Sequence, residues 1–147
     1  MTTFGLQTVS YVTSSRTWLP NDHGTEFMPG VPLDLTAFNA AQMYTANGYI
    51  ESGVVLGKIT ASGKYAPYLD SASDGTQTAV GIMFNDVSVY VPGTTTLQTN
   101  VTVPILVHGF VLSGKLKYTS GNAAAGGYLD AAAQTDLKNI VFWATAP

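Results

Sequence analysis

The sequence predicts a mainly β domain with two short helices and an extended N-terminal arm, and three observations carry that expectation. The first is the stretch Gly53–Tyr68 followed by Ser73–Ile82, where runs rich in Val, Ile, Tyr and Thr are separated by the turn pairs Ser62-Gly63 and Asp74-Gly75. This order reads as strand, tight turn, strand, loop, strand. The second is Val101-x-Val103-x-Ile105-x-Val107, the cleanest period-two pattern in the chain. It places four β-branched side chains on one strand face and Thr102, Pro104, Leu106 and His108 on the other. The third is the thin apolar content of residues 1–30, which are rich in Thr and Ser and too sparsely hydrophobic to build a core.

Taken in order, the arm carries Phe4, Leu6, Val9, Tyr11, Val12, Arg16, Trp18, Leu19, Phe27 and Met28. Weak alternation at Phe4-x-Leu6 and Val9-x-Tyr11 suits a strand added to another sheet, while Asn21–Gly24 and Pro29-Gly30 are turn signals. The division expected is an arm over 1–30 and a domain over 31–147, with the arm dispensable for folding. Val31–Leu35 reads as a short strand. Thr36–Tyr44 suits about two helical turns capped by Asp34 or Thr36, with Ala37, Phe38, Ala41 and Tyr44 inward, and Asn47-Gly48 ends it. Val87-x-Val89-x-Val91 leads to a Pro92-Gly93 turn. Pro104 cannot donate to a ladder, so the strand holding it is expected to be an edge or to be interrupted there. Asn122–Gly127 is an Ala/Gly loop. Tyr128–Asn139 suits a helix capped by Asp130 with Ala133 and Leu137 inward, and Ile140–Trp143 a closing strand.

At 147 residues one domain with one core is expected. Charged residues make up 10% of the chain, against roughly 25% in ordinary soluble proteins. Two readings account for so little charge: neighbouring chains cover much of the surface, or a small β domain is solubilised by Thr, Ser and Asn. The net charge is −3 and the six basic residues are scattered singly, so no footprint for a phosphate backbone exists and nucleic acid is not an expected partner. With no cysteine there is no disulfide framework, thiolate metal site or thiol redox chemistry. Met1–Ser15 lacks a basic segment and a continuous apolar stretch, and no window approaches the roughly 18 apolar residues of a membrane span. The expectation is a chain made and kept in a cytoplasm.

The order G-x-V-L-G-K-I-T-A-x-G-K-Y-x-P-Y, a short polar loop, then S-D-G-T-Q-x-A-V-G-I resembles the tailed-phage head decoration proteins of the lambda type. The resemblance extends upstream through L-D-L-x-x-F from Leu33 and N-G-Y-I-x-S-G-V-V-L-G-K from Asn47, and more loosely to V-P-I-L-V-H-G from Val103. The arm before Leu33 and the loop Pro92–Thr99 are longer than in the lambda pattern, and the sequence after Gly109 matches it poorly. What the resemblance implies is a β-clip-like or β-tulip small-barrel domain that does no catalysis. It also implies a homotrimer seated at local three-fold positions on the outside of an expanded capsid, in contact with the major capsid protein of the same phage. The arm residues Phe4, Leu6, Val9, Tyr11, Arg16, Trp18 and Leu19 are then the expected capsid contacts, with no cofactor.

The remaining chemistry is thin. Asp70–Gly75 lacks the third-position and twelfth-position ligands of a calcium loop, Ala72 and Gly81 standing there; Asp74-Gly75 reads as an Asp-led turn. Gly121–Gly126 lacks the Lys and Ser/Thr of a phosphate loop, and G-x-G-x-x-G and G-x-S-x-G are absent. His23 in a turn and His108 at a strand end are the only histidines, so a metal site on both would need a carboxylate from elsewhere. Asp70, Asp74 and Asp86 are expected as solvated loop carboxylates rather than an acid–base pair. Tyr65, Tyr68, Tyr90, Tyr118, Trp18 and Trp143 suit core or subunit packing, or else a sugar platform in a carbohydrate-binding or host-adhesion module.

Overall fold

The computed structural model describes residues 16–118 and 126–144. Among these residues are nine strands and two short α-helices: β1 Gly30–Leu33, α1 Ala40–Met43, β2 Tyr49–Ile50, β3 Val55–Lys58, β4 Tyr65–Pro67, β5 Ala79–Met83, β6 Val87–Ser88, β7 Val101–Leu106, β8 Gly109–Leu112, α2 Ala131–Asp136 and β9 Ile140–Trp143. The protein is mainly β, as the sequence predicts. Five strands close a barrel in the order β1-β4-β3-β5-β7, with β2-β6 and β8-β9 as separate two-stranded sheets. The expected strand–turn–strand–loop–strand block is β3-β4-β5: β3 pairs antiparallel with both others, and Gly63 and Gly75 take the positive φ their turns need.

Two buried clusters occupy opposite faces of the central strands, where one core was expected. Leu56, Met83, Val103 and Ile105 join Val31, Leu33, Phe38, Met43 and Val89 on one side. Their chain neighbours Val55, Ile82 and Leu106 join Trp18, Tyr68, Val111, Ala133, Leu137 and Ile140 on the other. Successive side chains of a strand point to opposite faces, so a strand covered on both reads as a continuous apolar run. That is why V-V-L and G-I-M show no alternation.

Pro104 is not on an edge. β7 pairs with β1 through Val101–Pro104 and with β5 through Ile105 and Leu106, so the strand changes partners at the residue that has no N–H. Neither the expected edge nor the expected interruption is found: β7 runs unbroken through Pro104 between β1 and β5 of the closed barrel. The helix expected over Thr36–Tyr44 is split. Asp34 accepts from Thr36 N and caps a 3-10 turn at Leu35–Ala37; Phe38 is extended; Asn39 then accepts from Ala41 N and caps α1. Two side chains competing for backbone amides restart the helix instead of continuing it. Phe38 is buried as expected, whereas Ala37 and Ala41 are exposed and Leu35 and Met43 fill the core in their place. α2 follows its prediction: Asp130 accepts from Ala133 N at 2.7 Å, and Ala133 and Leu137 are buried. Most of the Ala/Gly loop lies outside the described residues.

Gly57 carries the closest packing in the barrel. A Cβ there would lie 2.6 Å from both the Cα and the carbonyl oxygen of Thr76, backbone atoms that cannot rotate away. Gly57→Ala is expected to destabilise by about 1–3 kcal/mol, read as a lower urea midpoint at unchanged m-value. A midpoint equal to wild type would mean that the loop Asp70–Thr78 can move off β3 freely.

Candidate functional site

Five of the nine carboxylates are backbone anchors. Asp34 accepts from Thr36 N, Asp74 from Thr76 N at 3.0 Å and Thr76 Oγ1 at 2.6 Å, Asp86 from Ser52 N at 2.8 Å, and Asp136 from Ala79 N at 2.9 Å. The Thr76 hydroxyl, then the Thr76 N–H, holds the Asp74 carboxyl below its ordinary value. Asp74-Gly75 is therefore the Asp-led turn expected. Asp130 both caps α2 and accepts from the Tyr68 hydroxyl at 3.0 Å. A carboxylate occupied in this way fixes loops and does not present itself to a substrate. Among the described residues no three His, Cys, Asp or Glu side chains cluster to hold a metal. A cleft bordered by Leu33, Asp34, Thr36, Lys64, Leu97 and Thr99 has a volume of about 110 Å³, below the roughly 300–1,000 Å³ of small-molecule sites.

The aromatic residues do not form one platform either. Trp18, Tyr68 and Tyr118 are buried, in two different clusters, while Tyr65, Tyr90 and Trp143 are only partly covered. Burial, then the Asp86 charge, pushes the Tyr118 phenol up to about 12 from an ordinary 10.0; burial also raises Tyr44 and, with Asp130, Tyr68. A folded-state value raised in this way favours the neutral phenol, so its contribution is complete below the unfolded value and is lost as pH rises through the folded one. Stability is expected to fall between pH about 10 and about 12, and Tyr118→Phe should flatten that decline. Identical slopes of urea midpoint against pH in both proteins would contradict it.

The residues expected to touch a capsid divide sharply. Phe4, Leu6, Val9 and Tyr11 lie outside the described residues. Arg16 stacks its guanidinium over the Phe84 ring at 4.4 Å from the centroid and donates to Asn85 Oδ1 at 3.3 Å. Trp18 is 2% exposed, edge-on to Phe84 at 6.3 Å, and its Nε1 donates to Ser52 Oγ at 3.3 Å. Leu112 N donates to the Trp18 carbonyl at 2.7 Å, and Leu19 packs half-buried against the same cluster. Trp18, expected as a docking residue, is thus enclosed by its own chain, whereas Leu19 keeps part of its surface open. Residues 16–29 also run onto the domain, through Trp18, His23 against His108, and the Pro29 carbonyl accepting from Ile105 N. The side chains that do stand out are Phe27, Val91 and Val141, the exposed large hydrophobics of the described residues.

The described domain is a small β barrel flanked by two two-stranded sheets, with Asp34, Asp74, Asp86, Asp130 and Asp136 bonded to its own backbone and side chains. The family model for bacteriophage lambda head decoration protein D matches residues 34–140, and the chain belongs to that family. The family is one of structural proteins carried on the exterior of the phage capsid. Neither the curated proteins nor the solved structures returned a match.

Proposed function

We propose that this protein is a trimeric cement that binds the major capsid protein of its own phage at local three-fold sites of the expanded head. The observation that carries this reading is the family match across residues 34–140, which spans α2 and every barrel strand except β1. The 10% content of charged residues supports it, because surface covered by sister subunits and capsid needs little charge of its own. Closed C3 assembly is a common solution for small subunits. A trimer touching several capsid subunits at once resists the outward pressure of packaged DNA without touching nucleic acid, and it performs no catalysis. Made in the host bacterial cytoplasm, it acts only after the capsid lattice has expanded, because only then are its three contact sites correctly spaced.

The residues left for the capsid contact are Phe4, Leu6, Val9 and Tyr11, with Arg16 and Leu19 at the root of the arm. The test is mass by light scattering on the purified chain, then co-sedimentation with expanded, undecorated capsids. A trimer that sediments with capsids and protects them from rupture by heat or low salt is the expected result. A monomer, or a trimer that ignores capsids and instead binds a glycan array, would move the function to host adhesion.

A further inference from the structure

The two histidines of the chain, 85 residues apart, meet with their Nε2 atoms 3.2 Å from one another. The meeting is built by the backbone. His23-Gly24 and His108-Gly109 are the two His-Gly pairs of the sequence, and they cross reciprocally: a Cβ on Gly24 would overlap the His108 carbonyl oxygen, and a Cβ on Gly109 the His23 carbonyl oxygen. Both glycines also take positive φ, +88° and +136°, which side-chain-bearing residues rarely adopt. Asn21 Oδ1 accepts from His23 N at 3.1 Å, and the His23 ring rests on Phe110 with centroids 5.5 Å apart.

We infer that His23 and His108 form a two-imidazole chelate for a divalent transition-metal cation of the zinc or nickel kind. Two nitrogens bound to one such ion at about 2.0–2.1 Å in tetrahedral geometry stand roughly 3.3 Å apart, close to the 3.2 Å that separates the two Nε2 atoms. Imidazole nitrogen is a preferred donor for these ions. The same turn carries the carboxylates of Asp22 and Glu26, so its charge favours a cation. No third His, Cys, Asp or Glu of the described residues completes the set, which leaves the other coordination positions to water or to a ligand from outside the chain. Bound there, the ion clamps the segment that leads into β1 onto the β7–β8 corner. Without metal, the contact is one hydrogen bond in which one ring donates Nε2–H and the other accepts.

The experiment uses untagged full-length protein treated with chelator and then titrated with Zn²⁺ and, separately, Ni²⁺ by calorimetry and thermal melting. The expected result is one ion per chain and a rise in Tm of about 5–10 °C at a free metal concentration near 100 times Kd. Both effects should be lost in His23→Gln and in His108→Gln, which remove an exposed ring from the surface and leave the two cores intact. Absence of binding in the wild-type protein, or equal binding in either variant, would overturn the assignment. A stability change on mutation with no response to metal would reduce the pair to its hydrogen bond and overturn it equally.

Discussion

Trp18→Ala is expected to cost about 3–5 kcal/mol of folding stability, the range for emptying a large aromatic site in a core. Three losses combine. The indole leaves a cavity between Phe84 and Leu116, for it is 2% exposed and lies against the Gly53 backbone, where even a Cβ would come within 3.2 Å of Nε1. The edge-on contact with Phe84 disappears, and with it part of the platform that Arg16 covers from outside. The Ser52 hydroxyl, itself 3% exposed, is left without the indole N–H, a buried polar group whose unmet hydrogen bond adds about 1–3 kcal/mol where water cannot enter. Trp18→Phe separates these parts by keeping most of the ring volume and losing the donor, and it should fall between wild type and Ala. Urea unfolding reads the series. A loss below about 1 kcal/mol for Trp18→Ala, accompanied by failed capsid binding, would return Trp18 to the capsid contact and contradict its place in the core.

Why the sequence misled about Trp18 is a matter of range. The β3-β4-β5 block was legible because its parts are adjacent and each turn has its own glycine or Asp; α2 was legible because Asp130, Ala133 and Leu137 lie within two helical turns. Ladder registers between distant segments leave no comparable local mark. β8 pairs in parallel with β9 across Gly109–Leu112 and Ile140–Trp143, and nothing within Gly109–Leu112 announces a partner some thirty residues on. The indole of Trp18 finds Ser52 and Phe84 in the same non-local way. An isolated Trp in a Thr-rich stretch reads as arm when only its neighbours are considered, and becomes core once β5 and β8 are assembled beneath it. His23 and His108 illustrate the same limit: each sits beside a glycine in an ordinary turn, and only the crossing of the two backbones brings the rings together.

Deleting residues 2–15 is expected to leave a stable, normally assembled protein whose affinity for expanded capsids falls by 10² or more. Deleting 2–30 is expected to unfold it, because that cut also removes Trp18 and its hydrogen bond to Ser52. The energetic argument for the shorter cut starts from Phe4, Leu6, Val9 and Tyr11. Burying the large apolar side chains contributes roughly 1.5–3 kcal/mol each, while ordering each backbone residue costs about 1–2 kcal/mol. With Trp18 assigned to the domain, a single arm of some ten residues, on these terms alone, does not hold to a capsid. Under the proposed function, strand hydrogen bonds to the capsid subunit would narrow the deficit, and three arms on one trimer would make the second and third contacts intramolecular, a gain of about 10² to 10⁴ over one arm. Loss of all three arms would remove that gain at once, whereas the folding cores described above are untouched. The comparison therefore has two readouts: an unchanged urea midpoint and mass for the protein lacking 2–15, and its absence from the capsid pellet. Stoichiometric co-sedimentation of that protein would place the capsid contact on the barrel surface, with Phe27, Val91 and Val141 the exposed apolar residues to mutate next.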